Sequence, residues 1–229
     1  MTIEALLFDK DGTLFLFEAT WEGWARAVLD RLTNGDQERA RVVGAAIGFA
    51  YDAGRFQRDS VVIAGTPEEV VAALGQFFDH SPAELEMILN EEAALAPQAQ
   101  AVDLPSVLQD LRARGLGLGV ATNDAEHPAR AHLSGAGITD LFDFIAGYDS
   151  GFGGKPAPGQ CLAFAKKLGL DPDKVAMVGD SLHDLHAGRA AGMTTVGVLT
   201  GIATEAELAP HCDIVLPDIG HLAGWLDQR

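Results

Sequence analysis

A chain of 229 residues with 48% apolar side chains and a formal charge of −17 is long enough for one large domain or a core with an insert, and its charge excludes nucleic-acid and anionic-membrane partners. Any anionic substrate must therefore be met by a local positive cluster or a metal. Cys161 and Cys212 stand far apart without a CxxC, no apolar run reaches membrane-spanning length, and the first ten residues carry acids where a signal peptide needs bases, so a reducing cytoplasm is the predicted location.

The short apolar run from Ile3 to Phe8 reads as a buried parallel strand that stops at Asp9-Lys10-Asp11-Gly12-Thr13-Leu14. In extended backbone Asp9 and Asp11 face one point while Lys10 faces away, against the back of the sheet or the hinge of the insert, with substrate contact as its alternative. Two carboxylates held that close call for a divalent cation or a shared proton. A plain turn is one reading of the pair. A calcium loop is disfavoured, because Gly is missing at its sixth position and Thr20 stands where a bidentate Glu is needed. A carboxylate nucleophile with a second carboxyl as acid/base is the third reading, and it requires a hydroxyl, a cation and further acid downstream.

From Ala19 to about Ala96 the spacing is helical. Trp21, Trp24, Val28 and Leu32 form an apolar stripe ending near Asn34-Gly35, and a second helix is predicted over Gln37 to Asp52. Thr66-Pro67-Glu68-Glu69 and Ser81-Pro82-Ala83-Glu84 each open a further helix, to about Phe78 and Leu95, for roughly four in all. From Leu104 onward helices and strands alternate: helix 104–114, strand 116–121, helix 128–135, strand 141–145, helix 159–168, strand 175–178, helix 184–191, strand 194–199, strand 213–216 and helix 218–227. The predicted fold is α/β: a Rossmann-like, doubly wound parallel sheet from residues 1–14 and 100–229, with a helical cap domain, residues 15–99, inserted after the first strand.

In such a sheet ligands bind beyond the carboxyl ends of the strands. Thr122 and Asn123, Lys155, and Asp180 with Asp184 all fall at such ends. Each has a local alternative: helix capping for Thr122 and Asn123, a solvated loop position for one of only five lysines, and helix-dipole complementation for the two acids. Their appearance in order at successive strand ends favours the catalytic reading.

With these residues in place the chain resembles the haloacid dehalogenase superfamily, whose four motifs look like Asp9-Lys10-Asp11-Gly12-Thr13-Leu14, Thr122-Asn123, Lys155-Pro156-Ala157-Pro158 and Gly179-Asp180-Ser181-Leu182-His183-Asp184. The position of the insert is similar to the helical-cap subfamily that includes phosphoglycolate phosphatases. The resemblance implies that Asp9 attacks phosphorus to form an aspartyl-phosphate, and that Asp11 is general acid and then base. It implies Mg²⁺ held by Asp9, the Asp11 backbone carbonyl and Asp180, with Asp184 acting indirectly. Thr122, Asn123 and Lys155 would take the phosphoryl oxygens. Asp11 disfavours a carbon–halogen substrate, since the dehalogenases lack an acid at that position.

The expected activity is hydrolysis of a small-metabolite phosphomonoester, phosphoglycolate by preference, with no nucleic-acid or membrane partner and with a monomer or homodimer equally open. The cap would exclude water and select substrate, with Arg55 and Arg58 as candidates for binding a substrate carboxylate or second phosphate. Three rivals remain. A phosphomutase of the same family would return the phosphoryl group to a sugar. A phospho-aspartate switch would resemble a response-regulator receiver, but a receiver phosphorylates a mid-domain strand and has no helical insert. A catalytically idle binding protein is disfavoured by the complete set of catalytic residue types.

Overall fold

The computed structural model describes residues 2–64 and 66–228, with backbone alone for residue 64. The chain divides into two compact units, Met1–Phe17 with Gln98–Arg229 and Glu18–Pro97. Each has its own apolar core.

In the first unit β1 (Ala5–Phe8) is buried along its whole length, as an all-apolar run with a neighbour on each side must be. The second unit then opens with α1 (Phe17–Leu32), which ends where Asn34 and Gly35 take positive φ. The helix α2 (Gln37–Ala46) is shorter than its sequence suggests. Gly48 adopts φ +69°, which ends helical propagation, and β2 (Phe49–Ala50) pairs antiparallel with β3 (Arg55–Phe56). Phe49 and Phe56 face each other across that hairpin with ring centroids 4.9 Å apart, so cross-strand packing wins over the helical pattern expected to continue to Asp52. The short α3 (Val61–Ala64) precedes α4 (Pro67–Gly75) and α5 (Pro82–Leu95), whose N-termini carry the anticipated capping boxes of Thr66 with Glu69 and Ser81 with Glu84. Trp24, Val28, Leu29, Phe49, Leu74 and Leu85 form the interior of this unit.

The first unit resumes with α6 (Leu104–Ala113), β4 (Gly117–Ala121), α7 (Glu126–Gly135) and β5 (Phe144–Ala146). The strand expected over 141–145 starts later, because residues 139–141 form a 3-10 turn and the Asp143 carboxylate is tied to Arg112 and to the Leu118 amide. Next come α8 (Gly159–Leu168), β6 (Val175–Gly179), α9 (Leu182–Ala191) and β7 (Thr194–Val198). The chain closes with α10 (Glu205–Leu208), which the sequence reading did not anticipate, β8 (Ile214–Leu216) and α11 (Leu222–Leu226).

The sheet runs β5-β4-β1-β6-β7-β8 and every pairing within it is parallel. Strand β1 is thus central, and the chain leaves it toward β4 on one side and returns to β6 on the other. The switch point lies at the carboxyl end of β1, where a doubly wound sheet opens its crevice. Among the described residues no helix is long and apolar enough to cross a membrane.

Candidate active site

Asp9 follows Phe8 directly, and its amide continues the ladder by donating to the Val178 carbonyl of the neighbouring β6 at 2.8 Å. On that side Asp180 follows the last residue of β6, and Asp184 lies in the first turn of α9. Carboxylate oxygens of Asp9, Asp180 and Asp184, all buried, lie within 4.8 Å of one another. Adjacent parallel strands ending level bring together residues about 170 positions apart.

Lys155 reaches this group from the loop between β5 and α8. Its Nζ donates to Asp9 Oδ1 at 2.6 Å, to Asp184 Oδ1 at 2.6 Å and to the Ala121 carbonyl at 2.7 Å, which uses all three N–H bonds of a buried ammonium. Asp184 accepts on its other oxygen from the Ser181 amide and hydroxyl. Both of its oxygens are therefore engaged by protein groups.

The Asn123 side chain, read from sequence as a phosphoryl ligand, clamps the Lys155 peptide: Nδ2 donates to its carbonyl at 2.9 Å and Oδ1 accepts from its amide at 2.8 Å. It holds the loop that delivers the lysine. Thr122 is buried at the end of β4, where its Oγ1 accepts from the Asp124 amide. It does not cap the following helix, whose N-cap is Ala125. Asp9, Asp11, Thr122, Asn123, Lys155, Asp180 and Asp184 all belong to the sheet unit. Arg55 and Arg58 lie in the Glu18–Pro97 unit, at the start of β3 and just beyond it, and both are exposed.

Burial dominates the electrostatics. It pushes the Asp9 carboxyl up to about 7, against the opposing pull of Lys155 and with the help of Asp184 and Asp11. Asp180 is held well above the usual carboxylate range by burial and then by Asp9 and Asp184. Burial pulls the Lys155 ammonium down, but Asp184 and Asp9 outweigh it and the group stays charged. Three buried acids facing one lysine carry excess negative charge, and their donors are all hard oxygens. Such a site fits a small divalent cation.

Two glycines clear the space around Asp180. Gly12 has φ +84° and a Cβ there would lie 2.3 Å from Asp180 Oδ2, while at Gly201 a Cβ would lie 1.7 Å from the same oxygen. Thr13 Oγ1 donates to Asp180 Oδ1 at 3.3 Å, and Thr200 Oγ1 to the Gly12 carbonyl at 2.6 Å. Sequence reasoning missed Thr13, Thr200 and Gly201. The last two fall just past β7, where the strand-end rule that found the others pointed as well.

Lys10 does not face away from the pair. The alternation of β1 ends at Phe8, and the chain curls so that the Lys10 carbonyl accepts from the Leu14 and Phe15 amides. Its fully buried side chain turns to Asp11, with Nζ 2.8 and 2.7 Å from the two carboxylate oxygens.

A family model described as haloacid dehalogenase-like hydrolase matches residues 3–192. The phosphoglycolate phosphatase of Rhodospirillum rubrum is 33% identical over 237 residues, 97% of this chain and 90% of that protein. The pyrophosphatase PpaX of Bacillus pumilus is 30% identical over 210 residues, 92% of this chain and 89% of its own. Among solved structures, a HAD phosphatase from Thermococcus onnurineus superposes with a TM-score of 0.68 at 25% identity, covering 98% of each chain.

Proposed function

The chain belongs to the haloacid dehalogenase-like hydrolases, and within that family we propose that it is a Mg²⁺-dependent phosphatase that hydrolyses a small phosphomonoester through an aspartyl-phosphate on Asp9. The observation that carries the reading is the placement of the Asp9 carboxylate, which ends the central strand, touches Lys155 and lies within 4.8 Å of two further buried carboxylates.

Asp9 is the nucleophile. Lys155 holds one of its oxygens and so presents the other toward an incoming phosphoryl group. As the P–O bond to the substrate breaks, Asp11 in its acid form gives a proton to the leaving oxygen. In the second step the Asp11 carboxylate takes a proton from a water that attacks phosphorus, releasing inorganic phosphate and restoring Asp9. Thr122 is the proposed hydroxyl donor to the equatorial oxygens, the Lys155 ammonium, bonded to Asp9, Asp184 and the Ala121 carbonyl, supplies positive charge beside them, and Asn123 serves both by holding the Lys155 backbone. A divalent cation would be held by Asp9, the Asp11 carbonyl and Asp180, with Asp184 fixed behind by Lys155 and Ser181. When bound it supplies the positive charge that three crowded carboxylates and a phosphoryl dianion need.

Phosphoglycolate is the proposed substrate, supported by the similarity to a phosphoglycolate phosphatase over nearly the whole chain. A freely diffusing metabolite of this kind suits a cytoplasmic enzyme. The test is phosphate release from a panel of p-nitrophenyl phosphate, phosphoglycolate, sugar phosphates, nucleotides and inorganic pyrophosphate, with Mg²⁺ and with EDTA, beside Asp9→Asn. The expected result is turnover that needs Mg²⁺, is greatest on phosphoglycolate, and falls to background in Asp9→Asn. Turnover that survives Asp9→Asn refutes the mechanism, and a different best substrate refutes the assignment to phosphoglycolate.

A further inference from the structure

The sheet unit buries two lysines at the DxD pair. Lys155 serves Asp9, and the reaction as derived leaves the second, Lys10, without a task. A buried ammonium on one carboxylate would satisfy charge alone, but Lys10 is held from behind as well. Asp124 Oδ2 lies 3.2 Å from its Nζ and His132 Nδ1 lies 2.9 Å away. An ammonium has no lone pair, so His132 accepts at Nδ1 and carries its own proton on Nε2. Asp124 stands just past β4 with Oδ1 accepting from the Ala125 amide, and His132 sits on α7, its ring edge-on to Phe15 at 6.5 Å. Both anchors are buried. Burial alone would pull the Lys10 ammonium down, and the two aspartates reverse this, so its charge persists.

From this geometry we infer that Lys10 is a positioning residue for the proton-transfer carboxyl, locking Asp11 through both oxygens onto a frame built from Asp124 and His132. The inference rests on the reading of Asp11 as general acid and base. A carboxyl on a turning, partly exposed stretch has free χ1 and χ2 rotation. An anchored ammonium removes that freedom and leaves the carboxyl in one orientation when the leaving oxygen arrives. Asp124 has no other use in the proposed chemistry, and a fully buried lysine in the middle of the motif has no surface role.

Leaving-group dependence separates this role from a structural one. A p-nitrophenolate departs without a proton, whereas the alkoxide of phosphoglycolate needs one from Asp11. The comparison uses kcat/KM, which reports phosphoenzyme formation, on p-nitrophenyl phosphate and on phosphoglycolate, or the alkyl phosphate the panel ranks first. The variants are Asp11→Asn, Lys10→Arg, Asp124→Asn, and Lys10→Met combined with Asp124→Asn, which removes both charges together so that no carboxylate is left buried without its lysine. Circular dichroism and melting temperature check that each is folded.

Asp11→Asn should lose about 10²–10⁴-fold on the alkyl phosphate and much less on p-nitrophenyl phosphate. The double variant should lose at least tenfold more on the alkyl ester than on the aryl ester. Asp124→Asn, which leaves Lys10 on Asp11, should show a smaller split of the same sign, and Lys10→Arg should recover part of it. Equal losses on the two esters in Asp124→Asn and in the double variant, with the split intact in Asp11→Asn, overturn the role of Lys10 and leave the phosphatase standing. No split in Asp11→Asn overturns the acid/base reading and this inference with it.

Discussion

Replacing Gly201 with alanine tests the metal-site reading without touching an ionisable group. The new methyl would lie 1.7 Å from Asp180 Oδ2, 2.3 Å from its Cγ and 2.6 Å from its Cβ, so the whole side chain is in the way. Moving Oδ2 to an ordinary contact of about 3.4 Å requires a shift of about 1.7 Å, whereas metal–oxygen distances tolerate only about 0.2 Å. Gly201 does not occupy the left-handed region, so alanine brings no backbone strain, and its cost to stability is the overpacking against Asp180, about 1–3 kcal/mol by urea unfolding. The loss should be at least the ~10–100-fold in metal affinity that outer-shell disturbances cost, or about 1.4–2.7 kcal/mol. Calorimetric Mg²⁺ titration and the Mg²⁺ midpoint of phosphate release read the same quantity by two routes. In an Asp180→Ala background Gly201→Ala should add almost nothing, because both act on one ligand. An unchanged midpoint, or losses that simply add, would refute the reasoning.

Lys155→Met removes the one ammonium from among three buried carboxylates, so it should destabilise the protein by about 3–5 kcal/mol without added metal, read by urea unfolding. Mg²⁺ should restore a larger share of stability in this variant than in the parent, and equal Mg²⁺ increments would contradict the crowding account. Phe164→Ala opens a cavity beneath the sheet, where the ring packs on Phe144 at 5.7 Å, and should cost about 3–5 kcal/mol by the same assay. Ser81→Ala breaks the capping box at the start of α5 and should cost about 0.5–2 kcal/mol, with little effect on Mg²⁺ binding.

The sheet was legible because its strands are short apolar runs bounded by glycine and by the polar residues they deliver. The capping boxes at Thr66 and Ser81 were legible because each is a local pattern with a local cause. The hairpin at 49–56 was not, because its stabilising contact is between two phenylalanines seven residues apart across a turn, and the surrounding residues still match a helical period. At the site, the residues found first bear charge or hydroxyl at a strand end. Gly201 was hidden because its contribution is an absent atom, visible only once Asp180 is placed beside it. The orientation of Lys10 was misjudged because alternation was carried past Phe8, where the strand that enforces it ends.

That misjudged residue bears on how two like charges can serve opposite tasks in one turn. In the proposed mechanism a nucleophile and an acid stand two residues apart near other acids, and they would tend toward a common behaviour if they shared one environment. Here their environments are separated by the lysine each one touches. Asp9 faces Asp180 and Asp184 on the β6 side of the sheet, and Lys155, whose Nζ is also bonded to the Ala121 carbonyl at the end of β4. Asp11 faces Lys10, which is anchored through Asp124 and His132 on the β4 side. Each carboxylate is thus held by its own lysine, and both lysines are anchored at the end of β4, Lys155 on the Ala121 carbonyl and Lys10 on Asp124. On the proposed mechanism, attack on phosphorus leans on Lys155 and proton transfer on Lys10, so replacing one lysine or the other should leave a distinct kinetic signature.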